Sequence, residues 1–183
     1  MDDGFLIRQV LGGNRNAFRM LVIRYQRPLF RFVGGFGLGQ AVTEEIAQEV
    51  FLRAFRSLSS FDASKASFST WLFTIAKRLA LNERSRGRER AEHVEADESR
   101  MSAADASSAQ EQIEKSECAG RVHRALAALP ETLRSALLLA YLKELSIEEI
   151  AQIESCAVGT VKSRIFRGKA LLRTALVNSE DPS

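Results

Sequence analysis

The sequence predicts an all-α protein made of two small helical domains joined by an acidic linker. Three observations predict it. Apolar residues recur at intervals of three and four outside one central stretch, and no convincing alternating strand pattern occurs. Charge is partitioned: the net of +3 over 183 residues divides into +7 for residues 1–90, −6 for 91–117 and +2 for 118–183. Large rings are partitioned too, with ten of the eleven Phe, Trp71 and Tyr25 all within the first 73 residues, which favours two cores over one.

The first domain opens on Phe18, Leu21, Val22, Tyr25, Leu29, Phe32 and Val33, spaced as one helical face with Arg19, Arg24, Arg27 and Arg31 between them. Pro28 falls inside that run and is expected to kink or break it, and Gly34, Gly35 and Gly37 end it. Thr43 is expected to cap the next helix, with Glu44 and Glu45 at its positive end and Ile46, Ala47, Val50, Phe51, Ala54 and Phe55 as its apolar stripe. Ser59 to Ser67 reads as a polar loop holding Phe61. A third helix from about Phe68 carries Trp71, Leu72, Ile75, Ala76 and Leu79 on one face and Thr74, Lys77, Arg78, Asn82 and Arg84 on the other.

Glu92 to Gln112 is rich in Ser, Ala and acid, without aromatic residues or a sustained period, as expected of a flexible or weakly structured linker. A plain tether and an acidic strand able to occupy a basic channel both suit that composition. A helix from about Ile113 to Leu129 follows. Pro130 starts another, with Leu133, Leu137, Leu138, Tyr141 and Leu142 as its face. Ser146 and Glu149 form a capping box, a hydroxyl at the cap and a carboxylate three residues on. The short helix they open is interrupted at Glu154 to Ala157 and followed by a last helix through Val158, Val161, Ile165 and Leu172.

Two short helices joined by a tight turn, the second basic, describe a helix-turn-helix. Lys162, Arg164, Arg167, Lys169 and Arg173 lie between Glu154 and Glu180 with no acid among them. Such a helix suits the major groove, although a helical hairpin with a merely solvated cationic face has the same spacing.

Other function classes find little support. The longest apolar run, Ala136 to Leu142, is far short of the roughly 20 residues of a membrane span. The start, Met-Asp-Asp-Gly, has neither a basic nor an apolar leader segment, so a cytosolic chain without a secretory signal is expected. No P-loop, HExxH or GxSxG string suggests an enzyme. His93 and His123 are the sole histidines, and Cys118 with His123 lacks the second pair a structural zinc needs, so neither metal nor cofactor is expected. Cys156 reads as a packed turn residue.

Leu145 to Lys169, LSIEEIAQIESCAVGTVKSRIFRGK, resembles the DNA-binding region 4 of bacterial extracytoplasmic-function (ECF) sigma factors, a branch of the sigma-70 family. The string Gly159 to Arg164 and the Leu129-Pro130…Arg134 start carry the likeness. Gln48 to Phe55, Phe68 to Leu72 and Ile75-Ala76 resemble its region 2. The resemblance implies region 2 in residues 1–90, a linker in 91–117 and region 4 in 118–178. It implies a dissociable promoter-specificity subunit whose partners are core RNA polymerase (the clamp helices of the largest subunit and the flap of the second-largest), promoter DNA and an anti-sigma factor. Residue by residue, it assigns polymerase docking to Glu45, Gln48, Glu49 and Phe51. It assigns minus-ten contacts to Phe61, Trp71, Lys77, Arg78 and Asn82, and minus-thirty-five contacts to Thr160, Lys162, Ser163, Arg164, Phe166 and Arg167.

Some positions depart from the family pattern. Glu45 stands where many members have Asp, which keeps the charge. Arg78 stands where many have Asn, which favours phosphate over base contact, and Ala157 replaces a frequent Pro or Ser and weakens that cap. A free-standing helix-turn-helix regulator is the competing reading, but it leaves the basic first domain and the helix through Gln48 and Phe55 without a task.

Overall fold

A computed structural model describes residues 2–93, 120–142 and 145–178. The chain is all-α among these residues, in two helical clusters. The first contains α1 (Asp3–Leu11), α2 (Asn16–Gly34), α3 (Gln40–Arg56), a short 3-10 turn (Leu58–Ser60) and α4 (Phe68–His93). The second contains α5 (residues 120–128), α6 (Glu131–Ala140), α7 (Ile147–Glu154) and α8 (Val158–Asn178). Helix α4 runs past residue 90 to His93. The acidic stretch beyond it and the expected helix start at Ile113 lie outside the described residues. No helix among the described residues is long and apolar enough to cross a membrane.

The α2 stripe behaves as its spacing requires: Leu21, Tyr25, Leu29, Phe32 and Val33 are buried against α1, α3 and α4. Phe32 meets Phe36 and Phe73 edge-on, with ring centroids 5.3 and 5.5 Å away. Burying each such side chain is worth about 1.5–3 kcal/mol. That explains why Pro28 does not break the helix, contrary to expectation. Pro28 removes one N–H bond, but Tyr25, Leu29, Phe32 and Val33 on both sides of it share one core. Helix α1, which the periodicity did not single out, is tied on by Asp3. Its carboxylate pairs with Arg24 and accepts the Tyr25 hydroxyl.

Two further details differ from expectation. Helix α3 begins at Gln40 after Gly37 and Gly39, both at positive φ, so the chain reverses before Thr43. Thr43 is then a buried first-turn residue whose hydroxyl donates to the Gly39 carbonyl at 2.7 Å, not a cap. In α4 the fully buried stripe is Leu72, Phe73, Ala76 and Ala80, while Trp71, Ile75 and Leu79 form its half-buried shoulder.

In the second cluster, Arg134 is wholly buried and closes the end of α5. Its Nε donates to the Leu126 carbonyl at 2.6 Å, and its Nη2 donates to the carbonyls of Leu129, at 2.6 Å, and Ala127. These carbonyls lie at the negative pole of the helix end, where the Leu126 carbonyl also accepts the Leu129 N–H and the Ala127 carbonyl the Arg84 guanidinium. Replacing Arg134 with Ala is expected to lower stability by roughly 3 kcal/mol or more, measured by urea unfolding, because three buried carbonyls lose charge-assisted bonds.

The capping box forms as expected: the Glu149 N–H donates to Ser146 Oγ at 3.1 Å, and the Ser146 N–H donates to Glu149 Oε2 at 2.8 Å. Ser155, in the left-handed region at φ 53°, ends α7 and turns the chain into α8. Gly168 lets α8 approach α6, since a Cβ there would stand 3.3 Å from the Leu133 carbonyl oxygen.

The expectation of separate cores is corrected. Leu139, Leu142, Ile150, Ala151, Ile153 and Val161 of the second cluster join the core of the first in one continuous apolar cluster. Among the described residues, Leu126, Leu129 and Leu137 form a separate small cluster. The cause is α4, which is covered on one side by α2 and α3 and on another by α7.

Candidate functional site

Three surfaces collect the residues singled out from sequence. Between α3 and α4 runs a groove lined by Glu45, Gln48, Glu49, Leu52, Asn82 and Arg86. Glu45 and Gln48 are exposed, while Glu49 pairs with Arg53 one turn on at 2.6 Å. Phe51 is half-buried against the core, and the apolar side chain α3 offers to this groove is Leu52, 45% exposed. Periodicity passed Leu52 over because it falls off the apolar stripe. Asn82, grouped from sequence with the minus-ten set, faces this same groove.

Beside it lies a basic cleft lined by Arg53, Arg56, Ser57, Trp71, Ile75 and Arg78. Phe61 folds back onto its rim. Its ring stands 5.3 Å from Trp71 and 5.9 Å from Phe68, so three half-buried or buried aromatics form one shelf next to three guanidinium groups. Unstacked bases and phosphates are held by this combination of π-faces and cations. Arg53 and Arg56 were missed from sequence, although their spacing of three on α3 was a usable signal.

Along α8, Thr160, Lys162, Ser163, Phe166 and Arg167 are exposed, Phe166 by 76%. This leaves a cationic row with one solvent-facing ring on the helix after the turn, where a helix-turn-helix meets base edges. Arg164 is different. It turns back, half-buried, to Glu154 Oε2 at 2.9 Å. Farther along, Tyr141, Lys169, Leu172, Arg173, Leu176 and Val177 line an apolar patch with two cations.

Lys77 does not face solvent either. Its ammonium donates to Glu154 Oε1 at 3.0 Å and to the Ile153 carbonyl at 3.3 Å, which links α4 to the end of α7. Glu154 is itself buried and accepts the Ser135 hydroxyl at 2.6 Å. The residue expected to interrupt a helical pattern is a buried hub.

Comparison with known proteins assigns the whole. Residues 21–90 match the family model described as Sigma-70 region 2, and residues 119–172 match Sigma-70, region 4. The ECF RNA polymerase sigma-E factor of Escherichia coli K12 is 36% identical over 189 residues, covering 100% of this chain and 96% of that one. The chain belongs to the ECF branch of the sigma-70 family. Sigma factors are transcription proteins, not enzymes, in keeping with the expectation. RNA polymerase sigma-H factor of Pseudomonas aeruginosa is also 36% identical, over 181 residues, covering 95% of this chain and 93% of that one. Among solved structures, CnrH in complex with the cytosolic domain of CnrY shares the fold at 24% identity, with a TM-score of 0.69 over 97% of both chains. The sigma factor RpoE of Bartonella quintana, solved with the anti-sigma factor NepR, is 26% identical, with a TM-score of 0.66 over 87% of this chain and 96% of that one.

Within this sigma-family chain, Glu149 has a lowered carboxyl pKa. Burial pushes it up, but bonds from the Ser67 hydroxyl at 2.5 Å, the Ser146 N–H and the Thr70 hydroxyl together outweigh burial. A carboxyl lowered on folding contributes stability that is complete above its unfolded value and lost as pH falls through its folded one. The contact of α7 with α4 is therefore expected to hold at neutral pH and weaken below the ordinary carboxylate range. Thermal unfolding scanned toward acid checks this, with the Glu149→Gln variant losing that part of the slope.

Proposed function

We propose that this chain is a promoter-specificity subunit that binds core RNA polymerase and directs initiation at its own promoters. Region 2 occupies residues 1–90, and region 4 occupies 118–178 beyond the linker. The α3–α4 groove docks the clamp helices of the largest polymerase subunit through Glu45, Gln48, Glu49 and Leu52, with Phe51 supporting α3 from behind. The cleft and shelf of Phe61, Trp71, Arg78, Arg53 and Arg56 take the opened minus-ten strand, joined by Lys77 when that side chain is released. Helix α8 reads the minus-thirty-five duplex through Thr160, Lys162, Ser163, Phe166 and Arg167. Arg164 holds the helix to Glu154, and Asn82 serves the groove.

The apolar patch at Tyr141, Leu172 and Val177 suits the flap of the second-largest subunit. An anti-sigma protein is the expected inhibitor, given the relative solved with NepR. The observation that carries this reading is the joint presence of a mixed acidic and apolar groove and a basic aromatic cleft on one helical cluster. A protein that only read duplex DNA has no use for either.

Equilibrium binding of the fluorescently labelled chain to purified core polymerase, beside duplex DNA alone, tests it. Tight association with core is expected. Tight duplex binding by the free chain with no association with core would overturn the proposal.

A further inference from the structure

One strongly charged surface has no part in the groove, the cleft or the α8 row: the outward face of α2. Met20, Ile23, Arg27 and Phe30 follow one another at intervals of three and four, so they stand in one line along the helix. Arg19 flanks that line on one side and Arg31 on the other, over about 18 Å of helix. Met20, Ile23 and Phe30 are 49, 50 and 38% exposed, and the three arginines are exposed beside them.

Helix α2 contains no acid at all. Arg24 is held by Asp3 of α1, but the guanidinium groups of Arg19, Arg27 and Arg31 form no ion pair or hydrogen bond among the described residues. Single exposed apolar residues are ordinary. Three in one line, edged by unpaired arginines, have instead the composition of an interface, with an apolar centre and a charged rim.

We propose that the outward face of α2 docks an acidic amphipathic helix of a protein partner. Apolar side chains of that helix lie along Met20, Ile23 and Phe30, and its carboxylates meet Arg19, Arg27 and Arg31. Other occupants fit worse. A phosphate backbone rewards the cations and leaves the apolar line in water. An anionic bilayer takes up a wholly apolar helix face, and that face of α2 is spent on the core through Leu21, Tyr25, Leu29 and Phe32. A second copy, laid α2 against α2, sets arginine against arginine. A helix with apolar residues at three- and four-residue spacing and carboxylates on both flanks satisfies the line and its rim together.

Such a partner differs in kind from an inhibitor. No α2 residue lines the α3–α4 groove or the basic cleft, so a helix seated on α2 covers neither set of lining residues. This goes beyond the promoter reading and rests on it in one respect, that the docked partner travels with the chain onto core polymerase.

Cross-linking from the full-length chain is the test. Benzoylphenylalanine in place of Ile23 is irradiated in the chain's own bacterium, and the attached segment is sequenced by mass spectrometry. One protein is expected, attached through a segment with apolar residues at three- and four-residue spacing and Asp or Glu on both flanks. Adding Arg27→Glu and Arg31→Glu should lower the yield about tenfold or more, while Arg27→Lys with Arg31→Lys keeps most of it. Both arginines are exposed and unpaired, so neither double variant should move the unfolding midpoint, which separates lost docking from misfolding.

A synthetic helix of about 18 residues, with Leu along one face and Glu on its flanks, is the probe in solution. It should bind the parent chain, more weakly as salt rises, and stay bound when core polymerase joins. The same peptide with Lys for Glu should not bind. Attachment to polymerase, DNA, lipid or a segment without acids overturns the proposal. So does the absence of any attachment, a yield unchanged by charge reversal, or displacement of the peptide by core polymerase. A parent chain that takes the peptide but never binds core polymerase overturns the promoter reading instead, and leaves docking on α2 standing.

Discussion

A chain with Lys162 and Arg167 both replaced by alanine is expected to lose its hold on the minus-thirty-five duplex by about 30-fold or more. Each good contact of this type is worth about 1–3 kcal/mol, since a guanidinium can bond guanine bidentately and an ammonium neutralises phosphate. Both side chains are exposed on α8. Their removal should therefore change unfolding free energy by no more than about 0.5 kcal/mol. Fluorescence anisotropy at several salt concentrations checks the loss and its origin. If both cations neutralise phosphates, the salt slope falls by about two, and by less if one reads a base edge. Arg164→Ala should behave in the opposite way. It costs stability, because buried Glu154 loses a charged partner, and its direct effect on binding is small.

The second large effect belongs to α3. Leu52→Asp is expected to weaken binding to core polymerase by roughly 30-fold or more, the loss typical of an apolar interface centre. Leu52 is the exposed apolar residue between Gln48 and Arg53 in the groove, and an added carboxylate there joins Glu45 and Glu49. Binding of the free chain to duplex DNA should not change. Phe51→Ala is the informative contrast. Phe51 packs against the core, so its truncation lowers stability, by about 2–4 kcal/mol, before it touches docking. Side-by-side titration of both variants into core polymerase, with unfolding curves for each, separates docking from folding.

Apart from α1, helix existence and order were legible from periodicity, because each helix buries at least one stripe and 3.6-residue spacing reports one stripe. The capping box at Ser146 and Glu149 was legible because its chemistry is local. What spacing could not report is a second burial surface on the same helix. The polar face of α4 reads equally as a phosphate contact or a solvated face, yet α7 covers the part of it that carries Lys77. Lys77 is consequently an ion-pair partner, and the buried stripe is displaced toward Phe73. Glu154 read as a break in the pattern for the same reason, since its partners come from α4, α6 and α8. Gly35 read as a helix stop, and the Leu138 side chain that explains its lack of a Cβ lies more than a hundred residues away in sequence. Pro28 and Thr43 misled through local rules that tertiary packing overrode. Of the candidate site, the α8 row was legible as cations without acids. The pairing of Leu52 with Asn82, and of Arg56 with Trp71, needed two helices in register.

Run-off transcription with purified core polymerase across a genomic promoter library tests the promoter-specificity role most directly. The expected result is a set of transcripts with discrete start sites that appear only when this chain is added, sharing two sequence elements at fixed spacing. A chain that binds duplex DNA yet adds no transcript to those made by core polymerase alone would contradict it.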